Sequence, residues 1–154
     1  MLRLSYIPEK YRNMPLKNTP QIIKQQRKEK QELHECFSLF DNDIVLYKRP
    51  IEPSLYQIEL SYVIAKEIIQ KHQACIVIAI IAKTIFETAH VRHLAREHFP
   101  LFTPFLKHFI IVTEDPFNQV NIRFSLPNAK YGVSVVETFE EALTPIETSN
   151  LRSR

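Results

Sequence analysis

Residues 74–82 read Ala-Cys-Ile-Val-Ile-Ala-Ile-Ile-Ala, a run of nine apolar residues of which five are β-branched. A strand with one face in water would alternate apolar and polar side chains, and this run does not. The run therefore predicts a central strand in a sheet that is covered by helices on both faces. The flanking sequence is then expected to supply those helices.

Segments typical of strands and helices alternate around this run. Further strands are predicted at 33–40, 44–48, 108–113 and 133–136, and Asp41-Asn42-Asp43 has the composition of a hairpin turn between the first two. The order is β-β-α-β-α-β-α-β-α. It predicts an α/β fold with a mixed, mostly parallel sheet of about five strands and four helices.

Four predicted helices carry start signals. Ser54, Thr84 and Thr138 are each followed three residues later by Gln or Glu, which is the form of a capping box. Asp115 stands before Pro116, an N-cap residue followed by proline at the first helical position. We therefore expect helices to begin at about residues 55, 85, 116 and 139. Phe117, Val120 and Phe124 lie on one face of the helix that begins at 116, and we expect this face to pack inward.

The composition limits the function. A single glycine in 154 residues excludes the Gly-rich phosphate-binding loops. Cys36 and Cys75 lie in separate predicted strands, and we interpret both as reduced thiols. No apolar run reaches the roughly 20 residues that span a bilayer, and the N-terminus has no apolar signal segment. We expect a cytoplasmic protein.

Charge is unevenly distributed along the chain. Residues 1–30 carry eight Lys and Arg against two Glu, whereas the remaining residues carry twelve against fifteen Asp and Glu. We predict a basic N-terminal extension over 1–32, partly disordered or helical, a folded domain over 33–147 and a tail over 148–154. The extension either contacts an acidic partner, a membrane surface or RNA, or serves only solubility. Because nucleic-acid-binding domains usually carry their basic patch on the fold, a nucleic-acid partner is disfavoured.

The helix predicted over 55–71 has two apolar rows. The first row should pack on the sheet and comprises Leu55, Ile58, Tyr62, Ala65 and Ile69. The second row comprises Leu60, Ile64 and Ile68. This second row indicates either a deeply buried helix or a surface for a dimer or another partner.

Three segments are similar to one known family. They are LFDNDIVLYKR at 39–49, FIIVTEDPFNQVNIRF at 109–124 and ETFEEAL at 137–143. With the long helix after Ser54, they resemble the STAS-like (SpoIIAA-like) domains of bacterial anti-sigma-factor antagonists, over about residues 33–145. The resemblance implies that fold and a regulatory module that works by binding.

The antagonists of that family are phosphorylated on a serine at the start of the helix after the core strand. Here Thr84 and Thr88 are the hydroxyl residues at the phosphoacceptor-like position, and the strand end before them, Ile80-Ile81-Ala82-Lys83, lacks the acidic residue of the family pattern. The turn also lacks the serine and glycine of that pattern. Thr84 is more simply a helix cap.

His90, His93 and Glu97 fall within about 60° of one another on a predicted helix. Two imidazoles and a carboxylate could begin a zinc or iron site. Arg92 and Arg96 would oppose a cation, and no fourth ligand is indicated. We interpret the group as a solvated face with a His93–Glu97 pair, and we predict no metal, no cofactor and no catalytic residues.

The sequence therefore predicts a non-enzymatic regulatory or protein-binding module that contacts a protein partner or a second copy of itself. The candidate contact residues are Leu60, Ile64, Ile68, Lys83 and Phe86. The alternative is a small-molecule or lipid-binding module of the same fold. Its pocket would be lined by the phenylalanines at 99, 102, 105, 109, 117 and 124.

Overall fold

Five strands form one sheet in the computed structural model, which describes residues 20–41, 43–83, 88–102, 105–125 and 131–148. The strands lie side by side in chain order: β1 (Phe37–Phe40), β2 (Ile44–Lys48), β3 (Ile76–Ile80), β4 (His108–Val112) and β5 (Gly132–Val136). β1 pairs antiparallel with β2, and all other pairs are parallel. The predicted mostly parallel sheet with an antiparallel hairpin at one edge is confirmed.

The described residues form five α-helices, where the sequence predicts four. They are α1 (Pro20–His34), α2 (Leu55–His72), α3 (Ala89–His98), α4 (Pro116–Ser125) and α5 (Phe139–Thr148), and a 3₁₀ turn (Phe99–Phe102) follows α3. The additional helix, α1, lies in the predicted N-terminal extension and crosses its predicted boundary at residue 32. None of these described helices has the length and apolar character needed to cross a membrane.

Three of the four predicted helix starts are confirmed, because each depends on contacts within one turn. Ser54 Oγ accepts from Gln57 N, and Gln57 Oε1 accepts from Ser54 N, both at 3.1 Å. Asp115 Oδ1 accepts from two backbone N–H groups in the first turn of α4, at 2.8 and 3.1 Å. Thr138 Oγ1 accepts from Glu141 N at 3.1 Å.

The start predicted for α3 is wrong. The helix begins at Ala89, because Thr88 has an extended backbone (φ −74°, ψ 164°) and cannot belong to it. Thr88 is the N-cap, and its Oγ1 accepts from Val91 N at 3.3 Å. Thr84, which the sequence assigned as the cap, lies outside the described residues.

β1 is shorter than predicted. It begins at Phe37, because Leu33 belongs to α1 and is fully buried there. Cys36 lies in the turn between α1 and β1 and is half-buried, whereas Cys75 is buried. Both cysteines are free thiols, as predicted.

The sheet has a hydrophobic core on each face, and β3 contributes to both. On the first face, α2 and the segment around the 3₁₀ turn cover Val45, Val77, Ala79, Phe109 and Ile111. On the second face, α5 covers Ile44, Ile76, Ile78, Ile110 and Val112 through Ala142 and Ile146. This alternation of β3 side chains confirms that the central strand is covered on both faces.

Candidate functional site

The second apolar row of α2 lies against α1. Gln57 Nε2 donates to the carbonyl oxygen of Glu29 at 3.1 Å, which joins the two helices directly. At 100° per residue, Ile64 and Ile68 lie within about 20° of Gln57 around the helix axis, so they share its α1-facing side. Ile64 is only 2% exposed, and Leu60 and Ile68 are half-buried. The row is thus covered by the chain itself, and Ile64 belongs to the interior.

Lys83 lies at the carboxyl end of the sheet, just after β3. Its Nζ is 2.8 Å from Glu52 Oε1, and both side chains are exposed. The hydrogen bond and the positive charge of Lys83 lower the pKa of the Glu52 carboxyl. The carbonyl oxygen of Lys83 accepts a hydrogen bond from Asn118 Nδ2 at 2.8 Å. The segment after β3 is therefore held by the loop after β2 and by the start of α4.

The predicted contact residue Phe86 and the phosphoacceptor-like Thr84 and Thr88 belong to the same connection between β3 and α3. Phe86 and Thr84 lie outside the described residues, so their predicted roles remain predictions. Thr88 is described, and its hydroxyl is used as the N-cap of α3. In the described part of this connection, Lys83 is exposed at the surface and Thr88 caps the start of α3.

α4 turns a different side toward the sheet from the one predicted. The sequence placed Phe117, Val120 and Phe124 inward, but Phe117 is 52% and Val120 56% exposed. Asn118 is fully buried instead, and Ile122 packs against the core on the first face of the sheet. The prediction is wrong for Phe117 and Val120, and the Phe124 side chain lies outside the described set.

Hydrogen bonds of Asn118 explain this orientation. Its side-chain amide donates to Lys83 O and, at 3.2 Å, to Thr113 Oγ1, while Gln119 Nε2 donates to Thr113 O at 3.0 Å. Buried polar groups need such partners, and losing one costs about 1–3 kcal/mol. Rotating α4 to bury Phe117 would withdraw Asn118 from both partners. The bonds join three separate segments, so no local sequence pattern indicates them.

Exposed apolar side chains gather near this hydrogen-bonded link. Ile51 and Leu55 lie close to Glu52 in the segment after β2, and Phe117 and Val120 lie on either side of Asn118 in the segment after β4. Leu55 is 50% exposed, so the prediction that it packs on the sheet is wrong. Neighbouring strands are about 4.8 Å apart, so the loops after β2 and β4 emerge about 10 Å from one another. We call Ile51, Leu55, Lys83, Phe117 and Val120 the carboxyl-edge surface. Ligands of parallel α/β sheets characteristically bind beyond this end of the strands.

On α3, His93 and Glu97 form the pair that the sequence predicts. His93 Nε2 lies 2.8 Å from Glu97 Oε1, with both side chains mostly exposed, and His90 is exposed one turn before. Within the described ranges, no three His, Cys, Asp or Glu side chains group closely enough to hold a metal ion.

The six phenylalanines predicted to line a pocket have different surroundings. Three are buried and contact one another through their rings, with centroids 5.1 to 6.3 Å apart: Phe99, Phe102 and Phe109. Phe105 and Phe117 are exposed, and the side chain of Phe124 is not among those described. The three buried rings pack as core.

A contact that sequence reasoning missed joins His108 and Ser134 on neighbouring strands. His108 Nε2 and Ser134 Oγ lie 2.7 Å apart, and burial lowers the pKa of the imidazole. Gly132 is directly opposite His108, and a Cβ at Gly132 would collide with His108 Nδ1. The single glycine therefore provides room for the ring. The signal in the sequence is weak, since it consists of three residues in two distant segments.

Comparisons with known proteins identify no relative: no family model, curated protein or solved structure matches the chain. The contacts described above therefore carry the functional interpretation.

Proposed function

We propose that the chain is a non-enzymatic regulatory module of the STAS-like type, which binds a protein partner through the carboxyl-edge surface. One observation carries this proposal. α4 exposes Phe117 and Val120 on one side while it buries Asn118. This arrangement leaves the most apolar side of the helix available for a partner.

Several large apolar side chains are exposed in the segments after β2 and β4. Fully burying one large apolar side chain is worth about 1.5–3 kcal/mol, so several exposed together are a substantial reserve of binding free energy. Single exposed apolar residues are common, whereas a contiguous patch marks an interaction site. Ile51 and Leu55 lie close to Glu52 in sequence, and Phe117 is next to Asn118, which bonds to the backbone of Lys83. Aromatic residues are enriched in the core of protein interfaces, whereas exposed charged groups belong to the polar rim.

Two features support the STAS-like part of the proposal. The element order from β1 to α5 is the order on which the resemblance rests. The resemblance also implies that the segment after the core strand decides which partner binds. Lys83 begins that segment and belongs to the carboxyl-edge surface.

The contacts of the polar candidates support a binding role rather than catalysis. Thr88 caps a helix, His93 pairs with Glu97, and His108 pairs with Ser134. Each of these three contacts joins two polar groups that the helices and strands of the fold bring together. A nucleophile, base and anion-stabilising group would have to converge for covalent chemistry.

Site-specific photocrosslinking tests this proposal. A photoreactive phenylalanine analogue at position 117 should give a discrete adduct in the native cells of the protein. The matched control is the same analogue at Val63, an exposed apolar position on α2. An adduct from 117 alone supports the proposal, and its mass on the purified chain tells a second copy from another partner. No adduct from 117, or the same adducts from both positions, would overturn it.

A further inference from the structure

We propose that α1 binds the phosphate backbone of a double-stranded nucleic acid through its solvent-facing basic side. The sequence disfavoured a nucleic-acid partner because the basic residues were assigned to an extension beyond the fold. The structure removes that reason for residues 20–34. They form a helix of 15 residues that packs along α2.

α1 is attached to the fold by one side only. Leu33 is its one buried residue, and the carbonyl oxygen of Glu29 accepts from Gln57 on α2. Glu29 and Gln26 are half-buried. These three positions mark the side of α1 that faces the rest of the protein.

Three of the basic residues lie away from that side, and Lys30 lies at its flank, about 40° from Gln26 around the axis. At 100° per residue, Lys24 and Arg27 are about 140–160° from Glu29 around the axis, and Lys28 and Lys30 are about 100° from it on either flank. All four side chains are exposed. They are spread over about 160° of the helix surface, along about two turns of a helix whose orientation the fold determines.

Acidic groups reduce this charge only in part. Glu32 is exposed, and its Oε1 lies 4.0 Å from Lys28 Nζ. An exposed pair at i and i+4 contributes little and is screened by salt. Glu29 is the second carboxylate of α1, so four basic residues against two acidic ones leave the helix with a net charge of +2.

The remaining side chains of α1 favour a duplex over other polyanions. The helix has no aromatic residue, so it lacks the stacking platform with which proteins hold single strands. A helix lying on an anionic membrane would turn a broad apolar side to the lipid, whereas the opposite side of α1 contacts α2. Lys and Arg contact duplex phosphates without base specificity. An α-helix also fits the major groove of B-DNA.

Fluorescence anisotropy with a labelled 20-base-pair DNA duplex and the full chain tests this proposal. Neutralising four phosphates gives a slope of about −3.6 in log affinity against log salt, so affinity should fall by about 100-fold between 50 and 200 mM salt. The variant Lys24→Gln/Arg27→Gln/Lys28→Gln/Lys30→Gln should lose most of this binding and show a much shallower slope.

The control removes the same total charge elsewhere. Its changes are Lys48→Gln, Lys71→Gln, Arg96→Gln and Lys107→Gln, all at exposed positions outside α1. It should keep the affinity within about three-fold and retain most of the salt slope. The proposal is overturned if both variants weaken binding equally or if neither weakens it. It is also overturned if anionic vesicles or polyglutamate bind the wild-type chain as tightly as the duplex does.

Discussion

α2 and α4 pack on the same face of the sheet, but they place their apolar side chains in opposite ways. α2 buries Ile64, which is 2% exposed, on the side that faces α1. α4 exposes Phe117 and Val120 and buries Asn118. Ile64 of the second apolar row of α2 is therefore interior, whereas Phe117 and Val120 of α4 are at the surface.

This comparison shows that the elements packed around a helix determine whether its apolar side is buried or exposed. α2 has a second helix outside it, so its additional row becomes a helix–helix contact. In α4, the hydrogen bonds of Asn118 to Lys83 and Thr113 determine the rotation of the helix. The hydrogen bonds of Asn118 thereby stabilise this orientation of α4 more than the burial of Phe117 and Val120 would stabilise the alternative one. The four predictions below test this contrast in order of decreasing effect.

The largest effect should come from truncating the two apolar residues at the centre of the comparison. Ile64→Ala should lower the free energy of unfolding by about 2–5 kcal/mol, because it leaves a cavity between packed helices. Phe117→Ala should cost less than about 1 kcal/mol, because its side chain is largely in water. Urea unfolding followed by circular dichroism measures both. Equal losses for the two variants would contradict the contrast.

Removing the Asn118 amide should have the next largest effect. Asn118→Ala should destabilise the fold by about 1–3 kcal/mol, since it leaves the buried Thr113 hydroxyl and the carbonyl of Lys83 without that donor. Asn121→Ala, at a half-buried position on the same helix, is the matched control and should cost clearly less. If the control costs as much, Asn118 does not determine the rotation of α4.

A smaller effect is expected where α1 meets α2. Gln57→Ala removes half of the capping box and the hydrogen bond to Glu29, which together should cost about 1 kcal/mol. Amide hydrogen exchange in α1 should also become faster, because the helix loses a direct link to the fold. Gln70→Ala, at an exposed position of α2, is the control. Unchanged exchange in α1 would show that Gln57 does not hold it.

The smallest expected effect is the dependence of the free energy of unfolding on pH, which determines the pH at which the variants should be compared. Burial keeps the pKa of His108 below its ordinary value of 6.5, so the unfolded chain binds the proton more readily. Stability from this group should therefore be complete above that value and should decline as the pH falls below it. His108→Gln should weaken the decline between pH 7 and 5 in urea unfolding. A decline of the same size in this variant would assign it to other groups.

Prediction from sequence succeeded where the determining contacts are local. The alternation of strands and helices placed β3 correctly, and Ser54, Asp115 and Thr138 marked helix starts, because a cap acts within one turn. It failed at Thr88, which caps α3 without the Glu or Gln that would complete a capping box. It also failed for the docking of α1 and for the orientation of α4. Those depend on the hydrogen bonds from Gln57 to Glu29 and from Asn118 to Lys83, whose partners lie 28 and 35 residues away.

The exposed part of the candidate site was predicted less well than the fold. The position of Lys83 after β3 was predicted correctly, because it follows from the strand, whereas its role in a contact stays a prediction. Phe117 was assigned to the core because its spacing with Val120 is that of a buried helix side. Apolar spacing identifies a side of a helix, but it does not tell whether that side meets the sheet or a partner.

Thiol labelling tests the central contrast most directly. Phe117→Cys and Ile64→Cys would be made separately in a chain carrying Cys36→Ser and Cys75→Ala, and each would be reacted with a water-soluble thiol reagent under native conditions. We expect the thiol at position 117 to react within about ten-fold of its rate in urea. The thiol at position 64 should react at least about 100-fold more slowly than in urea, because it is reached only after the fold opens. Comparable rates at the two positions, or stronger protection at 117, would contradict this expectation.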